Sequence, residues 1–338
     1  MAEIRAWASR GPKQKLEPFV FDPGTLGVDE VEITVEYCGL CHSDLSIINN
    51  DWGLSQYPVV PGHEIVGRIT LLGSNVKGLQ LGQKVGVGWN AGSCMHCHEC
   101  IEGNHNLCLS AQPTIVNHHG GFSERVRAHW IWVIPLPDTL DTATAGPLLC
   151  GGITVFSPLL TFGIKPTHHV GIVGIGGLGH MGIKFAKAWG CEVTAFTSSA
   201  SKENEARMFG AHHVVSVQDN SALTKMTHSL DLLIVTVNVP MDWTGLLNTL
   251  RPNGRLHVVG AVLEPMAIPA INLIFGQKSV SGSPTGSPAA LSTMLSFAAR
   301  HRIAPQVEFF PLSQVNEALA HLRAGKARYR IVLQADFN

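Results

Sequence analysis

Cys94, Cys97, Cys100 and Cys108 are spaced C-x2-C-x2-C-x7-C, the densest set of reactive side chains in this chain. Four thiolates so close together can surround one ion tetrahedrally. Zn²⁺ held by four cysteines is the closed, structural kind of site. Such an ion would staple a loop too short and polar to fold alone. Similar spacings also hold iron–sulfur clusters. Disulfides are a further alternative, which a reducing compartment disfavours.

A second set is scattered. Cys41 lies in CGLCHSD, His63 and Glu64 in PGHE, and Cys150 in LLCGG. Two thiolates and an imidazole are the ligands of an open catalytic zinc, whose fourth place is left to water or substrate. Spacing alone does not select this set. Cys150 equally reads as a buried apolar thiol, and Cys38 with Cys41 forms a C-x-x-C that suits a redox pair. Cys191 has only a core reading.

The third feature is the stretch from His169 to Gly190. Val170–Val173 reads as a short apolar strand. The chain then turns through Gly174, Gly176, Gly177, Leu178 and Gly179, with G-x-G-x-x-G spacing. Leu178, Met181, Phe185 and Ala188 follow at roughly helical intervals. The first glycine permits the turn, the second lets the backbone approach a pyrophosphate, and the third lets helix pack on strand. The helix N-terminus then offers free N–H groups to the phosphates. NAD sites place an acid about 20 residues further on, against the ribose 2′-OH. Here that place is Thr197, followed by Ser198, Ser199, Ala200, Ser201 and Lys202. Hydroxyls and a lysine hold a 2′-phosphate that a carboxylate would repel, so the pattern favours NADP(H). The alternative is a serine-rich loop in which Ser201 caps the next helix.

The elements that would position these residues fall into two rhythms. Residues up to about 150 read as mostly β. Val31, Ile33, Val35 and Tyr37 alternate, and further runs cover Glu64–Leu72, Lys84–Trp89 and Ser123–Ile134. From about 152 strands alternate with helices. Strands are expected at Val170–Val173, Val193–Phe196, Val214–Val217, Leu230–Val237, Arg255–Val259 and Ser279–Gly282. Helices are expected between them, the last at Ile271–Gln277. The fold class is therefore α/β, with a Rossmann-type, doubly wound parallel sheet. Beyond Ser287 two helices and two strands fall outside the six-strand count and read as a return to the first domain. The expected boundaries are 1–151, 152–286 and 287–338. There is no internal repeat and no low-complexity segment.

Composition limits the function. Apolar residues make up 45%, enough for two cores, while charged residues make up only 14% against a typical ~25%. So low a figure suggests surface covered by a second domain or subunit. The net charge of −1, without a basic run, gives no support to nucleic-acid or membrane-surface binding. Thr142–Ile164 lacks charge and is long enough to span a membrane. Its prolines 147 and 158 and four glycines favour a buried core crossing. The first residues carry no apolar leader, which makes the cytoplasm the default location.

Together these residues resemble a family, the zinc-dependent medium-chain alcohol dehydrogenases. The likeness is to their cinnamyl-alcohol-dehydrogenase-like branch of NADP-linked aldehyde reductases. The matching stretches are YCGLCHSDL (37–45), YPVVPGHEIVG (57–67), GSCMHCHEC (92–100), PLLCGGITVFSPL (147–159), residues 170–190 and GKARYRIVL (325–333). The resemblance implies a GroES-like catalytic domain holding two zinc ions and interrupted by the Rossmann domain, assembled as a homodimer or homotetramer. It implies reversible hydride transfer between NADP(H) and small-molecule alcohols and aldehydes. It puts the catalytic zinc on Cys41, His63 and Cys150, with Glu64 beside it, and the structural zinc on Cys94, Cys97, Cys100 and Cys108. Asp44 would orient His63. Ser43 would give the substrate oxygen its proton. The position three residues later often carries a histidine in that family. Here it is Ser46, which cannot carry charge near neutral pH, and Asp51 is a candidate exit for the proton. His42 would face the pyrophosphate. Thr154, Thr236, Val259 and Ser283 would line the remaining cofactor site. Trp52, Leu54 and Trp89 are candidate walls for an aromatic or medium-length aldehyde, or plain core. A polyol dehydrogenase on the same scaffold, or a non-catalytic zinc- or dinucleotide-binding protein, are the alternative readings.

Overall fold

A computed structural model describes residues 3–337. The chain divides into two compact units, Met1–Ile153 with Thr285–Asn338, and Thr154–Pro284.

The first unit is built on a seven-stranded sheet whose centre is the strand Glu30–Leu40. That strand pairs antiparallel with Ile65–Leu72, Arg125–His129 and Arg330–Gln334. Val31, Ile33 and Val35 are buried as their alternation requires. Tyr37 does not continue the row. The register against Ile65–Leu72 shifts between Val35 and Tyr37, and a one-residue slip exchanges the two faces of a strand. Cys38 and Leu40 therefore enter the core in its place. Glu32 is buried too, held by Arg125 and Arg127 at 2.9 Å each. The run expected as one strand over 123–134 is broken. A 3-10 turn, Trp130–Trp132, separates Arg125–His129 from Ile134–Pro135 and sends Trp132 inside, where its Nε1–H donates to Ser93 Oγ at 3.3 Å. After Thr285 the chain forms helix Pro288–His301, strand Val307–Pro311, helix Val315–Arg323 and strand Arg330–Gln334. The last strand re-enters the sheet beside Glu30–Leu40, which brings Arg330 next to the residues around Cys41.

The second unit holds six parallel strands. In sheet order they are His213–Ser216, Glu192–Thr197, His169–Val173, Leu230–Val235, Leu250–Val258 and Ser279–Gly282. Counted in chain order this is 3-2-1-4-5-6, so the direction of winding reverses between the first and fourth strands. Ligands enter such sheets at that point, outside the strand C-termini. The helix expected over Ile271–Gln277 is a single turn, Ile271–Ile274. Ile271, Ile274 and Phe275 are 50–85% exposed, so no packed face extends it.

The uncharged stretch is broken into helix Thr142–Ala145, the 3-10 turn Gly146–Leu149 and helix Gly151–Thr161, with a 55° bend. Leu148, Leu149 and Ile153 are buried in the first unit, Val155, Phe156 and Leu159 in the second. Among the described residues no single helix is long and apolar enough to cross a membrane.

Candidate active site

Cys41 directly follows the central strand and caps helix His42–Asn49. Asp44, in the first turn of that helix, is fully buried and takes three donors. These are the backbone N–H of Cys41 at 2.8 Å, that of Gly62 at 2.9 Å, and His63 Nδ1 at 2.9 Å. A carboxylate behind Nδ1 fixes that nitrogen as the donor and leaves Nε2 free to ligate. Nε2 lies 3.2 Å from Cys150 Sγ. Burial alone would lower the His63 pKa, but Asp44 and Cys41 outweigh it and hold it well up. Cys41 is held well below the usual thiol range, by its bond with Cys150 first and then, against burial, by Arg330 and His63.

Glu64 is boxed in. A Cβ on Gly39 would overlap its carboxylate, so only glycine fits there. One Glu64 oxygen pairs with Arg330 Nη2, while the other, Oε2, is buried without a hydrogen-bond partner among the described residues. Arg330 Nη1 lies 3.9 Å from Cys41 Sγ. Burial pushes the Glu64 carboxyl up and Arg330 opposes it. Arg330 is the residue that the motifs did not single out. It heads the apolar run Ile331–Leu333 of a strand inside the sheet, and no local pattern marks it.

One ligand atom each from Cys41, His63, Glu64 and Cys150 lies within 4.8 Å of the others. Two thiols, an imidazole and an orphaned carboxylate oxygen in one buried place fit a Zn²⁺ ion. Cys94, Cys97, Cys100 and Cys108 converge within the same 4.8 Å limit. Backbone N–H groups of His96 and Cys97 bring the Cys94 thiol down to about 6, the thiolate character that zinc needs.

The proton-relay candidates are only partly brought together. Ser43 Oγ is 3.8 Å from Cys41 Sγ. Ser46 meets Asp51 through the backbone alone, Asp51 N–H to Ser46 O at 2.9 Å, and the Asp51 carboxylate faces Asn49 Nδ2 at 3.4 Å. No hydrogen bond joins the side chains of Ser43, Ser46 and Asp51 among the described residues. Trp89 sits edge-on to His63 at 5.1 Å and Trp52 edge-on to Trp89 at 6.0 Å, whereas Leu54 is 51% exposed.

In the second unit, Gly174 turns the chain at φ +90°, and a Cβ on Gly179 would overlap the Gly174 carbonyl. A Cβ on Gly176 would meet nothing within 4 Å, so the protein's own packing does not demand glycine there. That open space is what a closely approaching pyrophosphate needs, and the cradle fits a dinucleotide. Gly177 and Leu178 complete the turn, and Thr236 Oγ1 braces it by donating to Val173 O at 2.8 Å. Thr197 Oγ1 accepts the Ser199 N–H at 3.1 Å, Ser198 is exposed, and Lys202 Nζ donates to Ile175 O at 2.7 Å. The Lys202 ammonium thus lies against the glycine turn, and the Gly174 N–H donating to Phe196 O at 2.9 Å sets the start of the Thr197–Ser199 stretch next to it. Thr154 lies nearly buried on helix Gly151–Thr161, Val259 N–H bonds Val235 O at 3.0 Å, and Ser283 follows the last strand. His42, in the first unit, is exposed at the start of its helix.

Two family descriptions match the chain: "Alcohol dehydrogenase GroES-like domain" over residues 27–138 and "Zinc-binding dehydrogenase" over 177–300. The chain is 53% identical to the aldehyde reductase AdhA of Synechocystis, over 99% of this chain and 100% of that one. The fold resembles a cinnamyl alcohol dehydrogenase of Sorghum bicolor, with a TM-score of 0.95 and 38% identity over 98% of each chain. It also resembles a cinnamyl alcohol dehydrogenase of Helicobacter pylori, solved with NADP(H). There the TM-score is 0.91 and the identity 30%, again over 98% of each.

Proposed function

Because this chain belongs to the zinc-dependent medium-chain alcohol dehydrogenases, in their cinnamyl-alcohol-dehydrogenase-like branch, and is an alcohol dehydrogenase and aldehyde reductase, we propose that it reduces aromatic or medium-chain aldehydes with NADPH as its preferred cofactor. The observation that carries this reading is the convergence of Cys41, His63, Glu64 and Cys150 on one buried point. When bound there, zinc supplies Lewis-acid polarisation of the carbonyl oxygen, and NADPH supplies the hydride. Cys41, His63 and Cys150 hold the metal, and Asp44 keeps the His63 ring in its ligating tautomer. Glu64, steadied by Arg330, offers Oε2 as a further oxygen beside it. Ser43 moves the proton, since a hydroxyl donates and accepts at once. With serine at 46 the onward path runs through hydroxyls and water. Trp89 and Trp52 exclude water along the apolar side of the site. Cys94, Cys97, Cys100 and Cys108 hold a second, structural zinc.

Thr197, Ser198, Ser199 and Lys202 hold the 2′-phosphate. Thr197→Asp puts a negative charge against it and is expected to cut kcat/KM for NADPH by roughly 10–100-fold, raising that for NADH relative to it. Initial rates with both cofactors check this, and an unchanged NADPH/NADH ratio would contradict it.

We further propose a homodimer through the edge strand Ser279–Gly282, whose outer backbone groups meet no strand among the described residues. Leu263, Ile271, Ile274 and Phe275, ahead of that strand, are all half or more exposed. A second copy covers such a surface and pairs such an edge. Phe275→Asp is expected to convert the protein to monomers in light scattering. An unchanged mass would contradict this surface. The unpaired cysteines suit a reducing, cytoplasmic setting.

A further inference from the structure

Strands Leu250–Val258 and Ser279–Gly282 run in parallel with His257 opposite Ser281. Residues two apart on a strand share a face, so Ser283 continues the row that Ser281 begins. The His257 ring spans both, with Nδ1 2.9 Å from Ser281 Oγ and Nε2 2.9 Å from Ser283 Oγ. It is 1% exposed, and Phe162 packs edge-on against it at 5.0 Å beneath the Arg255 guanidinium. An apolar residue would suit this place in a doubly covered parallel sheet. A histidine there is tolerated because both nitrogens are engaged.

Burial, helped by Arg255, brings the His257 pKa down to about 4, so the ring is neutral near pH 7. A neutral imidazole donates from one nitrogen and accepts at the other. If Ser283 takes the ring's N–H, its own O–H is left to donate. If it gives its O–H to the ring, a lone pair is left to accept. Either way the hydroxyl keeps hydrogen-bonding capacity for a second partner, on an oxygen whose position the ring already fixes. The row ends at the C-terminal edge of the sheet, where an open parallel sheet receives its ligand.

We propose that His257 is a positioning residue for the nicotinamide half of the cofactor, holding the Ser283 hydroxyl for a hydrogen bond to the ring's carboxamide. A carboxamide carries both an acceptor oxygen and a donor nitrogen, so it meets Ser283 in either state. This rests on the dinucleotide reading above.

The test compares NADPH with ADP-ribose 2′-phosphate, which has the same adenosine, 2′-phosphate and pyrophosphate but no nicotinamide. Fluorescence or calorimetric titration of His257→Leu and Ser283→Ala is expected to show NADPH binding weakened roughly tenfold in each. The double variant should lose no more than either single, because both act through one bond. Binding of ADP-ribose 2′-phosphate should stay unchanged throughout. A general structural role for His257 would weaken both ligands alike, and that result overturns the proposal. If His257→Leu does not fold, Ser283→Ala alone decides, and unchanged NADPH binding there also overturns it. A wild-type protein that binds neither ligand overturns the cofactor reading itself.

Discussion

His63→Ala is expected to abolish practical turnover, by ~10³-fold or more in the rate of aldehyde reduction, and to release one zinc per chain. Lewis-acid polarisation contributes several kcal/mol at the transition state, and each ~1.4 kcal/mol is a factor of ten. The loss follows from geometry. His63 brings the only imidazole to a cluster otherwise made of Cys41, Cys150 and Glu64. Asp44 would then be left buried, with its two backbone donors but without the ring it orients. Zinc content should fall from roughly two ions to roughly one, because the four-cysteine loop is a separate set. Initial rates and metal analysis on the same preparation check both halves. Turnover within tenfold of wild type, or an unchanged zinc content, would remove His63 from the site.

Arg330→Met should act on stability as strongly as His63→Ala acts on rate. Glu64 is 0% exposed and Arg330 5%, and they form a buried ion pair. Removing the cation leaves a buried carboxylate without its counter-charge, which costs roughly 3–5 kcal/mol. For a chain of this size that lowers the apo-protein's melting temperature by on the order of 10 °C. Adding Glu64→Gln should recover a large part of the loss, since a neutral amide needs no counter-charge. Calorimetry on the two variants checks this. A single variant that melts within about 2 °C of wild type would show that the pair is not what holds Glu64 in place.

The four-cysteine cluster is legible in the sequence because its members are close neighbours in the chain. Cys94 to Cys108 announce themselves by their short spacings, whereas Cys41, His63 and Cys150 converge from distant segments and spacing alone does not select them. The glycine turn was legible for the same reason, since strand, turn and helix N-terminus are consecutive. Glu64 and Arg330 are 266 residues apart, and nothing local in an arginine at the head of an apolar strand announces a buried partner. His257 likewise reads as one more residue of a strand until Ser281 and Ser283 are placed beside it. The face of the central strand beyond Val35 departs from the alternation because a bulge changes parity without a sequence mark as plain as glycine or proline. The helix at Ile271 is shorter than its sequence implies because apolar periodicity carries no information about whether a surface is there to pack it. The Ser46–Asp51 step was an inference from substitution alone, and the side chains do not meet.

The central proposal is that a zinc-dependent centre in this chain reduces aldehydes at the expense of NADPH. The direct measurement is the initial rate of NADPH and NADH oxidation by the zinc-loaded protein with cinnamaldehyde, before and after chelation and after zinc is restored. Turnover is expected to be faster with NADPH, lost on chelation and regained with zinc. Turnover that survives complete removal of zinc, or none with either cofactor across aromatic and medium-chain aldehydes, would contradict it.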